Sequence, residues 1–317
     1  MQLSLIHFDT ALELQPEFVR LCEGAGARHI DVKGEGAAVR LWGKERSLEA
    51  LQAALLPQLK TAQQTPQLVF MGSGDFHHMT SFLLAAALEH ETQPVTVIHF
   101  DNHPDWVKFE GGMHCGSWVN RALAQPLVQK VITLGVCSYD LNRPEWRGAN
   151  LSLLSGGRLE LYPYSHAPSK VRHDYGSNPC FVQQNGALHW QTIAAMGEEN
   201  FIVHLLSRID TPRVYITIDK DVLARADAIT NWDQGQMRLP YLLALIEAIA
   251  AKHQIIGADV TGDYSPPHYS GSLFTKAMKY GEILLDQPKG RVDLAESEKI
   301  NMIANRLLLE KLSAAMA

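Results

Sequence analysis

The feature that most constrains this chain is a series of short apolar runs, rich in β-branched residues, with longer helical patterns between them. The runs fall at residues 3–8, 68–71, 95–100, 128–136, 214–218 and 255–260. They are nearly continuous in apolar residues, with little polar alternation. That is the pattern of strands covered on both faces, as in a parallel sheet. Between them, Ser47 is placed to cap a helix reaching about Gln58, residues 238–252 repeat apolar side chains with a period near 3.6, and residues 295–316 read as a further helix. This alternation predicts a three-layer α/β/α fold with a mostly parallel central sheet. With 317 residues, 46% of them hydrophobic, the chain can bury one large core. No low-complexity linker or fixed-period repeat divides it, so residues 1–317 are read as one domain. The stretch 151–191 is the least regular and reads as a surface insertion or hairpin excursion.

Charge and cysteine usage exclude several classes of function. The net charge is −6 and no run of Lys or Arg stands out, so there is no nucleic-acid footprint. The opening MQLSLIHFDT lacks a basic leader, and no apolar stretch nears the roughly 18 residues of a membrane span. Cys22, Cys115, Cys137 and Cys180 form no CxxC pair, against a zinc ribbon or disulfide scaffold and in keeping with a reducing cytoplasm.

Three strand ends carry the chemistry. In VIHFDNHPDW an apolar run ends in Asp101, His103 and Asp105. Side chains two apart in an extended chain share a face, so three metal-ligand types converge from one strand end. In VYITIDKDVL a second run ends in Asp219 and Asp221, whose carboxylates resist joint ionisation unless a cation sits between them. In LVFMGSGDFHH a third run enters Gly72-Ser73-Gly74, then Asp75, then His77 and His78, one of which faces the other strand ends from a helix start. Oxygen-rich ligation with some imidazole suits Mn²⁺ better than Zn²⁺. The tetrapeptide IHFD occurs at residues 6–9 and 98–101 and is read as chance.

In this order the segments resemble the arginase/agmatinase (ureohydrolase) superfamily, whose typical motifs are G-G-D-H, D-A-H-x-D and S-x-D-x-D. The matching stretches are Gly74-Asp75-Phe76-His77, Asp101-Asn102-His103-Pro104-Asp105 and Thr217-Ile218-Asp219-Lys220-Asp221. The resemblance implies two Mn²⁺ per chain bridged by Asp101 and Asp219, with His77 and Asp105 completing one position and His103 and Asp221 the other. It implies hydrolysis of a C–N bond in a guanidino, amidino or amide small molecule by a hydroxide shared between the ions. Asp101 holds that hydroxide, and His114 moves protons or contacts substrate. Trp232, in the loop 230–236, is a substrate-side residue.

The departures bear on specificity. Guanidine-cleaving members carry an acid three residues after a strand-end Asp; here that Asp is Asp259 and the position holds Gly262, leaving Asp263 as substitute only if the loop shifts. Lys220 separates the acids of the third motif. Trp106-Val107-Lys108-Phe109 follows Asp105 where an α-amino acid would be held, so free arginine is not the expected substrate. The rival readings are a single-zinc deacetylase-like amidohydrolase with His77-His78 as acid and base, and a catalytically silent metal-binding protein. A small-molecule substrate, no nucleic acid and no membrane are expected, with self-association left open.

Overall fold

The computed structural model describes residues 1–59, 65–288 and 292–317. Eight strands form one sheet: β1 (Gln2–His7), β2 (Arg28–Asp31), β3 (Gln67–Gly72), β4 (Val95–Phe100), β5 (Val128–Leu134), β6 (Leu159–Tyr162), β7 (Arg213–Asp219) and β8 (Gln254–Thr261). Their order across the sheet is β2-β1-β3-β8-β7-β4-β5-β6, and every pairing is parallel. β4 is buried along its whole length, and β3, β7 and β8 in all but their first residue, because helices cover both faces. This is the expected three-layer α/β/α architecture.

The six predicted runs are all strands of this sheet. The two strands not predicted, β2 and β6, are its edges. The helix predicted from Ser47 begins earlier, at Glu45, and runs to Leu59, so Ser47 lies inside it and caps nothing. The segments predicted at 238–252 and 295–316 are the helices Leu239–Ala250 and Leu294–Ala315, the latter capped by the Asp293 carboxylate. The stretch 151–191 leaves the main sheet after β6 and forms a small antiparallel sheet from Ser169–Lys170, Ser177–Asn178, Phe181–Gln184 and Ala187–Trp190. A two-stranded ladder pairs Trp42–Lys44 with Gly112–His114, setting Trp42 opposite His114. Among the described residues, no helix is long and apolar enough to cross a membrane.

Four adjacent strands, β3, β8, β7 and β4, deliver the three sequence motifs and the Gly262 loop to one carboxyl-end edge. Ligand sites of open α/β sheets lie there because the strand ends release polar backbone and side chains that the covered sheet cannot accommodate.

Candidate metal centre

Local turns do most of the positioning. The Asp101 carboxylate accepts the His103 amide at 2.6 Å, and the Asp219 carboxylate accepts the Asp221 amide at 3.0 Å. Both motifs thus fold by one device, an aspartate closing a turn over the residue two ahead. The turns brace each other: Asp221 Oδ1 accepts the Asn102 amide at 2.9 Å, and His103 Nδ1 lies 2.9 Å from Asp221 Oδ2. Asp105 arrives differently from the shared-face expectation. The extended chain ends at Asp101, and Asp105 sits at φ +50°, a left-handed conformation that aspartate tolerates better than most residues. This turns its carboxylate back toward the cluster, where Trp118 Nε1 donates to Oδ2 at 2.6 Å.

Asp219 is admitted by two glycines. A Cβ on Gly74 would lie 3.2 Å from Asp219 Cγ and overlap its Oδ2. A Cβ on Gly262 would overlap Asp219 Oδ1 and stand 2.5 Å from the Lys220 amide nitrogen. Gly262 is therefore required by the aspartate it touches, and its φ of +92° favours glycine independently.

His77 is the histidine that reaches the cluster. Its Nε2 lies 2.9 Å from Thr217 Oγ1, while the hydroxyls of Thr217 and Thr80 both donate to Asp259 Oδ1, at 2.8 and 2.9 Å. With those protons committed, Thr217 can only accept from the ring, so Nε2 carries a hydrogen, and in the neutral ring Nδ1 is the nitrogen that presents its lone pair. Nδ1 lies 2.9 Å from Asp101 Oδ2 and 3.2 Å from Asp105 Oδ2, yet makes no hydrogen bond of acceptable direction to either. A buried nitrogen aimed among carboxylates without hydrogen-bonding them is disposed to ligate a cation. The donor set fits a hard divalent ion. His78 is buried, does not line the cavity, and is held well below its ordinary pKa, first by burial. The His77-His78 pairing needed by the deacetylase-like reading is not formed at the cavity.

Two donor groups emerge. His77, His99, Asp101 and Asp105 form one, and Asp101, His103 and Asp221 the other, the donor atoms of each lying within 4.8 Å of one another. Asp101 belongs to both. Asp219 Oδ2 is 3.7 Å from His77 Nδ1, beside the first group. His99 was missed from the sequence. Its Nε2 is 2.9 Å from Asp101 Oδ2. The signal was present, because His99 and Asp101 are two apart on β4, the spacing used for the other ligands.

The electrostatics follow from four carboxylates buried together. Asp105 and Asp219 are each pushed up to about 6, first by burial and then by the charge of Asp101. Asp221 lies well above the usual range for the same two reasons. Asp101 is held well below it: burial opposes this, but the imidazoles of His103, His77 and His99 gathered around it prevail. His77 and His103 are raised well above an ordinary imidazole by the carboxylates they face, against the effect of burial. Without a cation, protons have to neutralise this cluster, and divalent ions would replace them.

A cavity of about 210 Å³ opens over the cluster. Its wall includes Trp106, His114, Tyr139, Asp140, Arg147, Trp232, Asp233, Glu282 and Asp286. Trp232 crosses His103 edge-on, with ring centres 5.5 Å apart, and its Nε1 donates to Asp75 at 2.9 Å. His114 Nδ1 accepts the Gly116 amide at 2.8 Å, leaving Nε2 to donate to Glu282 at 2.6 Å. The expectation that Asp263 contacts substrate is corrected. Asp263 is buried outside the cavity lining, ion-paired to Lys220 and accepting from Asn305 Nδ2 at 3.1 Å. Lys220 and Asp263, both departures from the family pattern, answer each other.

Comparison with known proteins agrees with this geometry. Residues 11–155 match the model of the arginase family. A Thermotoga maritima protein described only as uncharacterized is 25% identical over 245 residues, 77% of this chain and 68% of that protein. Among solved structures, proclavaminate amidino hydrolase from Streptomyces clavuligerus superposes over 100% of this chain and 92% of its own, with TM-score 0.59 and 15% identity. Arginase from Bacillus subtilis gives TM-score 0.60 at 15% identity, covering 98% of both chains. Formimidoylglutamase from Bacillus subtilis gives 0.60 at 14% identity, covering 98% of this chain and 87% of its own. At such identities the superpositions speak for the fold. The family match covers just under half of the chain, so what the comparisons show is an arginase-like three-layer fold, here with a buried His/Asp cluster that could hold metal.

Proposed function

We propose that this chain is a two-metal hydrolase, loaded with Mn²⁺, that cleaves a C–N bond in a small guanidino, amidino or amide compound. The observation that carries the reading is the membership of Asp101 in two donor groups, each with its own imidazole reaching the cluster: His77 for one, His103 for the other. A one-metal site has no use for the second group. Asp219 lies beside the shared edge, and Asp105 and Asp221 complete the two sides. A cytoplasmic location and one domain over residues 1–317 belong to the same reading.

The ions, when bound, would supply an activated water and polarise the carbon it attacks. This chain's residues supply the remainder. Thr217 and Asp259 fix the His77 tautomer, and Asp233 Oδ1, 2.9 Å from His103 Nε2, orients the second ring. Trp118 and Trp106 form an apolar backing that keeps bulk water from the buried side. His114 stands at the cavity with Nε2–H directed at Glu282, where it can pass a proton to a leaving nitrogen through its acidic partner.

Elemental analysis after chelation and reloading tests the reading. It should give about two Mn²⁺ per chain, falling below one in Asp101→Ala. Turnover against a panel of guanidino, amidino and acylamino compounds should then depend on manganese. Saturation at one zinc, with no gain from manganese, would refute it.

A further inference from the structure

We propose that Glu282, on the helix Leu273–Asp286, is the carboxylate that receives a planar cation, the guanidinium or amidinium group of the substrate. The inference rests on the hydrolase reading above and assigns its specificity to a residue outside all three motifs.

A guanidinium poised over the metal cluster needs a carboxylate that faces the cavity, is not a ligand candidate and is not already neutralised. Gly262 has no side chain and no room for one, and Asp263 is bound to Lys220. Of the other acids in the wall, Asp233 is committed to His103 and Asn102. Asp140 and Asp286 share Arg147, at 3.6 and 3.3 Å. Glu282 remains. Among the described residues no Lys or Arg forms an ion pair with it, and its side chain is 22% exposed on the cavity side.

Glu282 is also held in place. Oε1 accepts from His114 Nε2 at 2.6 Å and Oε2 from Trp42 Nε1 at 3.0 Å. Trp42 and His114 are partners across one ladder, so both donors belong to a single rigid element. One turn earlier on the same helix, Lys279 Nζ donates to the carbonyls of Ala38, Arg40 and Trp42 at 3.0, 2.7 and 2.7 Å, fixing the helix to that element. A carboxylate offers about four lone-pair directions, so roughly two remain for the fork of N–H donors that a planar cation presents.

The test uses Mn²⁺-loaded protein and two probes of nearly equal shape, n-butylguanidinium and neutral n-butylurea, titrated by calorimetry. Hydrogen bonds to a charged partner contribute about 1.5–3 kcal/mol, so wild type should prefer the guanidinium by roughly 10- to 100-fold. Glu282→Gln should bring the ratio near one while elemental analysis still gives the wild-type metal count. A wild-type protein with no preference, or a preference that survives in Glu282→Gln, overturns the proposal. If Glu282→Gln does not fold by circular dichroism, Glu282→Asp decides: withdrawing the carboxylate by one methylene should lower guanidinium affinity at least about threefold and leave butylurea unchanged, and an unchanged ratio refutes the assignment. A metal count other than two, with the Glu282-dependent preference intact, would sink the two-metal reading and leave this one standing.

Discussion

Replacing Gly262 by alanine isolates the contact that distinguishes this chain's site. The new Cβ would stand 2.5 Å from the Lys220 amide nitrogen and 3.0 Å from Lys220 Cβ, and would overlap the Asp219 carboxylate. Two effects add. A non-glycine residue in the left-handed region costs about 1–2 kcal/mol, and an overpacked buried contact about 1–3 kcal/mol. The sum is about 2–5 kcal/mol. Unfolding entropy of about 2.1 cal/mol/K per residue gives about 0.67 kcal/mol/K over 317 residues, so Tm should fall by about 3–7 °C. Scanning calorimetry of metal-free protein measures this. Gly157→Ala is the control: its φ is +67° and nothing lies within 4 Å of the new Cβ, so only the backbone part applies and Tm should fall by about 1.5–3 °C. Gly262→Ala should in addition lose manganese, because relief of the clash displaces Asp219. If Gly262→Ala melts no lower than Gly157→Ala and keeps its full metal complement, the argument that glycine is there to admit Asp219 is wrong.

Three further outcomes are expected. Asp105 and Asp219, at about 6 in the folded metal-free protein against an ordinary 3.8, favour the fold when protonated, and that contribution is lost as pH rises through about 6. Cations bind the deprotonated forms, so the Tm difference between manganese-loaded and metal-free protein should widen from pH 5 to pH 7; a constant or narrowing difference contradicts the assignment. Thr217→Val removes the acceptor for His77 Nε2 and should weaken manganese binding about 10- to 100-fold in a competition titration, with little effect if His77 is no ligand. Free L-arginine should be a poor substrate: Arg147 is the one Lys or Arg among the described residues of the wall, and Asp140 and Asp286 already neutralise it, so an α-carboxylate meets acids without a free cation. Urea release with kcat/KM of about 10⁴ M⁻¹s⁻¹ or more would contradict this.

The strands that the sequence announced are those with long covered apolar runs. β4 is buried throughout, and its ends were read to the residue. The two edge strands lacked that signature for different reasons. In β2 only Ile30 is buried, so a short run with one covered side chain looks like a turn. β6 is fully buried but contains Glu160, which is neutralised by Lys130 at 2.8 Å and by Arg208 at 2.7 Å. Those partners are 30 and 48 residues away, and without them an acid argues against a buried strand. The Ser47 cap failed because a capping residue type is common and weak evidence; the helix had begun before it.

The site divides along the same line. Ligand candidates within a motif were legible because a turn of three to five residues sets their geometry. His99 was legible by the same spacing but was passed over as part of a repeated tetrapeptide. What could not be read is the compensation between distant departures. Lys220 looked like damage to the third motif, and Asp263 like a displaced substrate acid. Each is explained by the other and by Asn305, on a helix more than 40 residues further on. A buried ion pair survives only when both charges are present, because removing either leaves the other uncompensated. One position alone therefore carries no sign of the pair. Glu282 extends the point. At Gly262 an acid would collide with Asp219, so a carboxylate for a cationic substrate has to come from outside the strand-end loops. The nearest wall not already engaged is the helix that the Trp42–His114 ladder and Lys279 hold in place. Only the fold brings residues 42, 114 and 282 together, and the proposed substrate preference would lie with them, apart from the motifs that supply the ligand candidates.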